Sequence, residues 1–347
     1  MKAVGYKHAG PIDRDDALID LNIEKPTASG HDLLVKVGAV SVNPVDTKIR
    51  TRREPEGDTP AILGWDAVGE VVATGDKVGG DKAGGDKAGE FKPGDKVWYA
   101  GAINRPGTNA EYHLVDARIT GHAPKNIPTA EAAALPLTTL TAYEMLFDRL
   151  RVNAPVPGAA KAIVIIGGAG GVGSIAIQLL RALTDLTIIA TASRPETQDW
   201  VRELGAHHVV DHTKPLPEQI AALGIGAPAF AFSTNFSDTY AQAAADFLAP
   251  QGRFGLIDDP QNFSIMPFKS KAISIHWELM FTRSLFTTDD IARQGEILNE
   301  VAALIDTDKI RSTATATYGT INAENLKRAH ALIESGKARG KIVLEGF

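Results

Sequence analysis

The chain has 347 residues, a formal net charge of −6 and a pI near 5.9, an acidic balance that argues against a nucleic-acid binder, which needs a basic surface. It has no cysteine, which removes disulfides, thiolate nucleophiles and cysteine–zinc sites together. The length implies two domains, or one with large insertions, and an apolar share of 44% is enough for sizeable cores.

Met1 leads directly into strand-like sequence. With no cysteine and no signal-peptide pattern, a cytoplasmic protein is expected. Leu33 to Val42 reads as a strand, with Val35, Val37 and Ala39 on one side of its pleat. Gly64 to Val72 reads as a second, Lys96 to Ala100 as a third after the turn Pro93-Gly94-Asp95, and Ala110 to Val115 as a fourth. Short strands with frequent turn signals imply a compact β-rich domain. Gly75 to Gly89 is three five-residue units, GDKVG, GDKAG and GDKAG. Its polar, glycine-rich composition predicts an extended surface hairpin loop without chemistry.

After Pro124 the character changes. Thr129 is expected to cap a helix that Pro136 interrupts, and a second helix is expected from Thr139 to about Leu150. Strands and helices then alternate. Strands are expected at Leu186–Ala192, His208–Val210, Ala229–Ser233, Arg253–Ile257 and Ala272–Met280. Helices are expected at Glu196–Leu204, Pro217–Leu223 and Ser237–Leu248. Such alternation implies an α/β fold with a doubly wound parallel sheet. Two further helices, about Asp289–Ile305 and Ala323–Ser335, precede a last strand, Gly340–Leu344, able to return to the first domain.

The centre of this region is Ile163-Val164-Ile165-Ile166-Gly167-Gly168-Ala169-Gly170-Gly171-Val172-Gly173. Gly168, Gly170 and Gly173 satisfy G-x-G-x-x-G. The four residues before them are all β-branched, as in a strand buried on both faces. Val172, Ile175, Ala176, Leu179, Leu180 and Leu183 follow at helical spacing. Strand, glycine turn and helix together predict a dinucleotide site, where backbone N–H groups and the helix start meet a pyrophosphate. Ala162 to Leu180 is free of charge and long enough to cross a bilayer. The glycines in its middle argue against that reading.

At the end of the next expected strand an acidic residue would bind an adenosine ribose diol. Ser193 and Arg194 stand there instead. A hydroxyl and a fixed positive charge suit a ribose 2′-phosphate, so NADPH is preferred over NADH. His207, His208 and His212 cluster around a short strand and read as a polar strand end rather than a metal site.

Beyond the glycine turn, several spaced stretches occur in a familiar order. They are Ser41 to Lys48, Gly64 to Gly69, Lys92 to Val97, Ala110-Glu111-Tyr112, Ala132 to Tyr143 and Gly340 to Leu344. With these, the chain resembles the medium-chain dehydrogenase/reductase superfamily in its zinc-free, quinone oxidoreductase-like branch. The resemblance implies a GroES-like β-rich catalytic domain, 1–127 with 284–347, and a central Rossmann domain, 128–283. It also implies a homodimer, joined through an edge strand near Ile273 to Met280, and nicotinamide held between the domains. Zinc enzymes of the superfamily carry a cysteine where Asn43 stands and a histidine where Trp65 stands. With neither present, Asp66 alone cannot hold a metal, and none is expected.

The resemblance also suggests roles. Asn43 is expected to donate to a substrate carbonyl or to place the nicotinamide ribose, and Asp46 to orient its neighbours; as bland readings they are a turn residue and a helix cap. Lys48 stands where some quinone oxidoreductases have a tyrosine, and is either a carbonyl polariser or a solvated lysine. Trp65 is expected to wall the cleft or to pack. Besides Gly168, Gly170, Gly171, Val172, Gly173, Ser193 and Arg194, the cofactor-binding set includes Thr139, His212, Ile257 and Lys341, the last as a phosphate contact. The implied activity is NADPH-dependent reduction of a quinone or related conjugated carbonyl, a small-molecule substrate, with no nucleic-acid or membrane partner. The alternatives are a 2-enoyl or enone reductase and a non-catalytic NADPH-binding protein. A short-chain dehydrogenase is disfavoured, because no tyrosine has a lysine four residues later.

Overall fold

In this computed structural model, which describes residues 1–79 and 90–347, the chain forms two compact units. One comprises Met1–Leu140 and Phe281–Phe347, the other Thr141–Met280. Most of the glycine-rich repeat expected as a hairpin loop lies outside the described residues.

The first unit opens with strands β1 (Lys2–Tyr6), β2 (Ile19–Asn22), β3 (Asp32–Ser41), β4 (Ala61–Ile62), β5 (Ala67–Thr74), β6 (Lys96–Tyr99), β7 (Tyr112–Asp116) and β8 (Gly121–His122). Helix α1 (Pro44–Arg52) lies between β3 and β4, and α2 (Thr129–Ala133) and α3 (Pro136–Tyr143) follow β8. The strand expected from Gly64 starts only at Ala67. Gly64 has φ +109°, and a Cβ on it would stand 2.5 Å from Thr108 Oγ1, so it belongs to a tight approach before the strand. Thr129 does not cap α2; Pro128 holds that position. Helix α3 starts at Pro136 rather than Thr139, because proline is tolerated in a first turn that needs no N–H partner. Past Tyr143 the expected helix widens into a π-type turn, Glu144–Arg149. The first unit reaches beyond residue 127 because α2 packs on β3 and β5, and the Leu137 N–H donates to Asp66 Oδ1 at 2.7 Å.

The second unit holds β9 (Ala160–Ile166), β10 (Thr187–Thr191), β11 (His208–Val210), β12 (Pro228–Ser233), β13 (Arg253–Leu256) and β14 (Ser274–Trp277). Helices α4 (Gly171–Leu183), α5 (Pro195–Glu203), α6 (Leu216–Ala222) and α7 (Ser237–Phe247) alternate with them. The sheet order is β11-β10-β9-β12-β13-β14 and every pairing is parallel. Counted from β9 this is 3-2-1-4-5-6, the doubly wound order whose direction switches beside β9. The charge-free stretch Ala162–Leu180 therefore divides into a buried strand and a helix. Among the described residues no helix is long and apolar enough to cross a membrane. Val164, Ile166, Ile189, Ala231, Phe254 and Leu256 centre one core on the sheet. Strand β14 is shorter than expected because Ala272, at φ +50°, closes a 3₁₀ turn just before it.

The chain then returns to the first unit through α8 (Thr282–Phe286), α9 (Arg293–Asp306), β15 (Ala314–Thr317), α10 (Ala323–Glu334) and β16 (Lys341–Glu345). Strand β16 pairs antiparallel with β3, Leu344 facing Val40, and parallel with β15. This is the return expected of the last strand. It completes a sheet ordered β15-β16-β3-β5-β6-β8, with β7 also on β3. Arg50, buried in α1, pairs with Glu334 of α10 and donates to the Gly10 carbonyl, so α1 and α10 are held together.

A Cβ on Gly173 would stand 2.3 Å from the Gly167 carbonyl oxygen, whereas one on Gly170 would meet only that same oxygen, at 3.5 Å. Gly173→Ala is expected to destabilise the protein by about 1–3 kcal/mol, because overpacking forces the backbone to shift. Gly170→Ala should cost less. Urea denaturation of the two variants checks the order; equal losses would contradict it.

Candidate active site

Strand β3 ends at Ser41, and Asn43 begins α1 in extended conformation with Pro44 behind it. The Asn43 N–H donates to Asp46 Oδ2 at 2.7 Å, and the Asp46 N–H donates to the Asn43 carbonyl at 3.0 Å. Asparagine before proline, with aspartate three residues on, caps this helix locally. Lys341, the first residue of β16, brings an ammonium to the same place. It donates to the Val42 carbonyl at 2.9 Å, to Asp66 Oδ2 at 3.1 Å and to Asn43 Oδ1. Asn43 Nδ2 donates to Asp66 Oδ2 at 2.7 Å. The other Asp66 oxygen accepts from Leu137 in the first turn of α3, where a helix start favours an anion.

All four side chains are buried. One ammonium thus stands among two carboxyl groups in a water-poor setting. Burial pushes Asp66 up and Lys341 down, and their mutual attraction opposes both shifts. Burial pushes Asp46 up to about 7, against the N–H of Asn43 and the charge of Lys341.

This geometry revises two expectations. Lys341 was expected to contact a phosphate, but its three hydrogens are already donated inside the cluster. Asn43 was expected to donate to a substrate carbonyl, but its oxygen accepts from Lys341 and its amide nitrogen donates to Asp66. Lys48 is half-buried on α1.

Trp65 is buried, its indole N–H donating to the Ala102 carbonyl at 3.2 Å and its ring edge-on to Phe281 at 6.2 Å. It helps line a cavity of about 650 Å³ within the first unit, with Tyr6, Ile49, Leu63, Ile103 and Tyr112 among the other walls. Thr139 lies inside α3, fully buried, and its hydroxyl has no hydrogen-bond partner among the described residues. Such an orphan costs roughly 1–3 kcal/mol unless something satisfies it.

In the second unit the remaining expected residues gather past the carboxyl ends of the parallel strands. The Gly167 N–H donates to Thr191 Oγ1 at 3.0 Å, and Thr234 Oγ1 donates to the Ile166 carbonyl at 3.0 Å. These bonds tie the glycine turn to the ends of β10 and β12. Gly168 lies within the turn, Gly170 is the N-cap of α4, and Gly171, Val172 and Gly173 open that helix. Ser193 and Arg194 follow β10, with Arg194 at the start of α5 and its Nε 3.2 Å from Glu196 Oε1. His212 follows β11 and Ile257 follows β13. His207 is structural: its Nδ1 accepts from the Ile188 N–H at 2.9 Å, and its other nitrogen meets Arg181.

Residue patterns alone left out several groups. Asp66 was weighed only as a metal ligand, yet it is the hub of the first cluster. An aspartate and a lysine buried in otherwise apolar strands must pair, which was the available signal. Asp258, past β13, accepts from the N–H and hydroxyl of Ser237 and so ties β13 to the start of α7. Glu278 is buried 2.8 Å from Arg149 Nε. Burial pushes it up to about 8, and nearby Glu144 adds to the shift.

Asp46 makes the cluster pH-sensitive. Its unfolded carboxyl titrates near 3.9 and its folded one at about 7. The folded state therefore holds the extra proton between those values. The contribution to stability is fullest below about pH 4 and is lost as pH rises through 7. Buried His113 and His330, pushed down to about 4 and about 3, act in the opposite sense over part of that window, so a difference curve is needed. Asp46→Asn is expected to match wild type near pH 4 and to exceed it by up to about 4 kcal/mol at pH 8. Chemical denaturation across pH 4–8 checks this; a flat difference would contradict it.

Residues 29–125 match the family model for the alcohol dehydrogenase GroES-like domain, and residues 204–344 match that for zinc-binding dehydrogenases. A zinc-type alcohol dehydrogenase-like protein of Staphylococcus epidermidis is 36% identical over 99% of both chains. The crystal structure of a proposed zinc-dependent alcohol dehydrogenase from Rhizobium etli CFN 42 superimposes with a TM-score of 0.96 at 60% identity, over 100% of this chain and 98% of that one. The fold is also that of Escherichia coli quinone oxidoreductase, solved in complex with NADPH, with a TM-score of 0.80 at 22% identity over 99% and 100% of the chains. The zinc in those names does not fit the residues here. Among the described residues no three histidine, cysteine, aspartate or glutamate side chains form a metal-holding group, and the oxygens of Asn43 and Asp66 already serve Lys341. The chain belongs to the medium-chain dehydrogenase/reductase superfamily and is an oxidoreductase of that family.

Proposed function

We propose that this protein is an NADPH-dependent, zinc-independent reductase of quinones or related conjugated carbonyls, working as a cytoplasmic homodimer. The observation that carries the reading is the glycine turn at the switch point of a 3-2-1-4-5-6 sheet, with Ser193 and Arg194 at the end of the neighbouring strand. Ligands of such sheets bind past the carboxyl ends of the strands at that point.

The cofactor fits the residues present. Gly170 leaves open space where a Cβ would crowd a pyrophosphate, and the free N–H groups at the start of α4 favour an anion. Ser193 and Arg194 would hold the 2′-phosphate, and His212 and Ile257 lie past the ends of β11 and β13 on the same edge of the sheet. When bound, reduced nicotinamide supplies a hydride. The chain's own part is then to bind, orient and exclude water.

The acceptor class follows from what the first unit offers. The cavity beside Trp65 is lined mostly by aromatic and aliphatic side chains, with Arg53, Glu54, Glu56 and Arg105 also on its wall, a setting for a flat molecule with an apolar body and a polar edge. Lys341 has donated its three hydrogens inside the cluster and pairs with Asp66, so it offers little to the charge of a simple alkoxide. A quinone or conjugated carbonyl needs less, because hydride addition spreads its charge over a delocalised system.

Arg194→Ala is expected to raise KM for NADPH roughly 10-fold while leaving KM for NADH nearly unchanged, the loss of one charge-assisted phosphate contact. Steady-state kinetics with para-quinones, ortho-quinones and enones would check both cofactor and acceptor. Wild type that prefers NADH would overturn the cofactor reading. NADPH binding without turnover on any acceptor would favour a binding protein.

A further inference from the structure

An ammonium has three hydrogens and no acceptor, so a buried lysine needs an oxygen in each of three directions. Lys341 has them: a peptide carbonyl from Val42, an amide oxygen from Asn43 and a carboxylate oxygen from Asp66. They come from the end of β3, the cap of α1 and the residue before β5. Each is held independently of the lysine. Val42 donates its N–H to the Ile342 carbonyl at 3.2 Å, the Asn43 N–H is bound by Asp46, and Asp66 is bound by the N–H of Leu137. A second carboxyl group, that of Asp46, is buried in the same neighbourhood. This is a preformed cage of oxygen atoms carrying negative charge. Its chemistry suits a hard or ammonium-type cation rather than zinc, which is held mostly through nitrogen and sulfur.

We propose that this cage is a cation site whose occupant belongs to the chain. The Lys341 ammonium fills it as a tethered cation, keeps a diffusible metal ion from Asn43 and Asp66, and fixes which end of the Asn43 amide faces Asp66. When the side chain is shortened, the cage accepts a free alkylammonium ion. This inference does not rest on the hydride-transfer reading. Its readouts are stability and metal content, so its failure would leave that reading standing.

Lys341→Ala removes the equivalent of n-propylammonium. The variant is expected to melt about 5–10 °C below wild type, because a buried pair has lost one partner. n-Propylammonium chloride should raise its melting temperature in a saturable way. Tetramethylammonium chloride at equal ionic strength, which has no N–H to donate, should not, and wild type should respond to neither salt. Lys341→Met, which replaces the buried stem but leaves the cage without a cation, should stay below wild type with no response to propylammonium. Wild type dialysed after exposure to zinc should retain far less than one equivalent. The proposal is overturned if propylammonium acts no better than tetramethylammonium on Lys341→Ala, or if Lys341→Met is as stable as wild type. Retention of stoichiometric zinc by wild type would also overturn it. If Lys341→Ala does not fold alone, refolding in propylammonium replaces the melt; a chain that stays unfolded there while Lys341→Met folds also overturns it.

Discussion

A buried ammonium cannot be left without oxygens around it, and meeting that need shapes the first unit. Lys341 reaches Asp66, Asn43 and Val42 across 275, 298 and 299 residues of sequence. The contact joins the last strand of the chain to the cap of α1 and, through Asp66, to the start of α3. Taking lysine and aspartate out of water is costly, and the attraction between them repays it only if the remaining hydrogen-bonding groups are satisfied. Here all three ammonium hydrogens and both Asp66 oxygens are used. The cluster fixes where the segments meet, which is a matter of specificity as much as of stability.

The second unit rests on backbone rather than charge. The glycine turn lets α4 start close against the end of β9, and bonds from Thr191 and Thr234 hold that turn to β10 and β12. Expected cofactor residues from four separate strand ends gather at one edge because the strands are parallel and all end on the same side. The division of labour is physical. The second unit offers polar backbone at a helix start, while a neutralised polar cluster and a largely apolar cavity occupy the other unit.

Much of this was legible in the sequence. The β-branched run before the glycines, the helical spacing after them and the strand–helix alternation each specify local structure, and together they specify the doubly wound sheet. The return of the last strand was readable from its period. The polar cluster was not. Asn43, Asp46 and Lys341 were each singled out, but as separate actors, because pairing across nearly 300 residues has no local signature. Asp66 was passed over once a metal had been set aside. Proline misled at residue 136, where it was read as an interruption although it begins α3. Thr129 misled in the other direction, since a residue type favoured at caps stands inside the helix and Pro128 takes the cap.

Family names and the residues present differ on the metal. The chain shares its fold with zinc-type relatives and is 36% identical to one of them, yet an ammonium, an amide and a carboxylate occupy one another where a metal would need free ligands. The account therefore turns on activity without zinc. The most direct measurement is NADPH oxidation with a para-quinone by protein dialysed against a chelator, with bound zinc determined on the same sample. The account predicts undiminished turnover at a zinc content far below one per chain. Turnover that disappears with the chelator and returns with added zinc would contradict it.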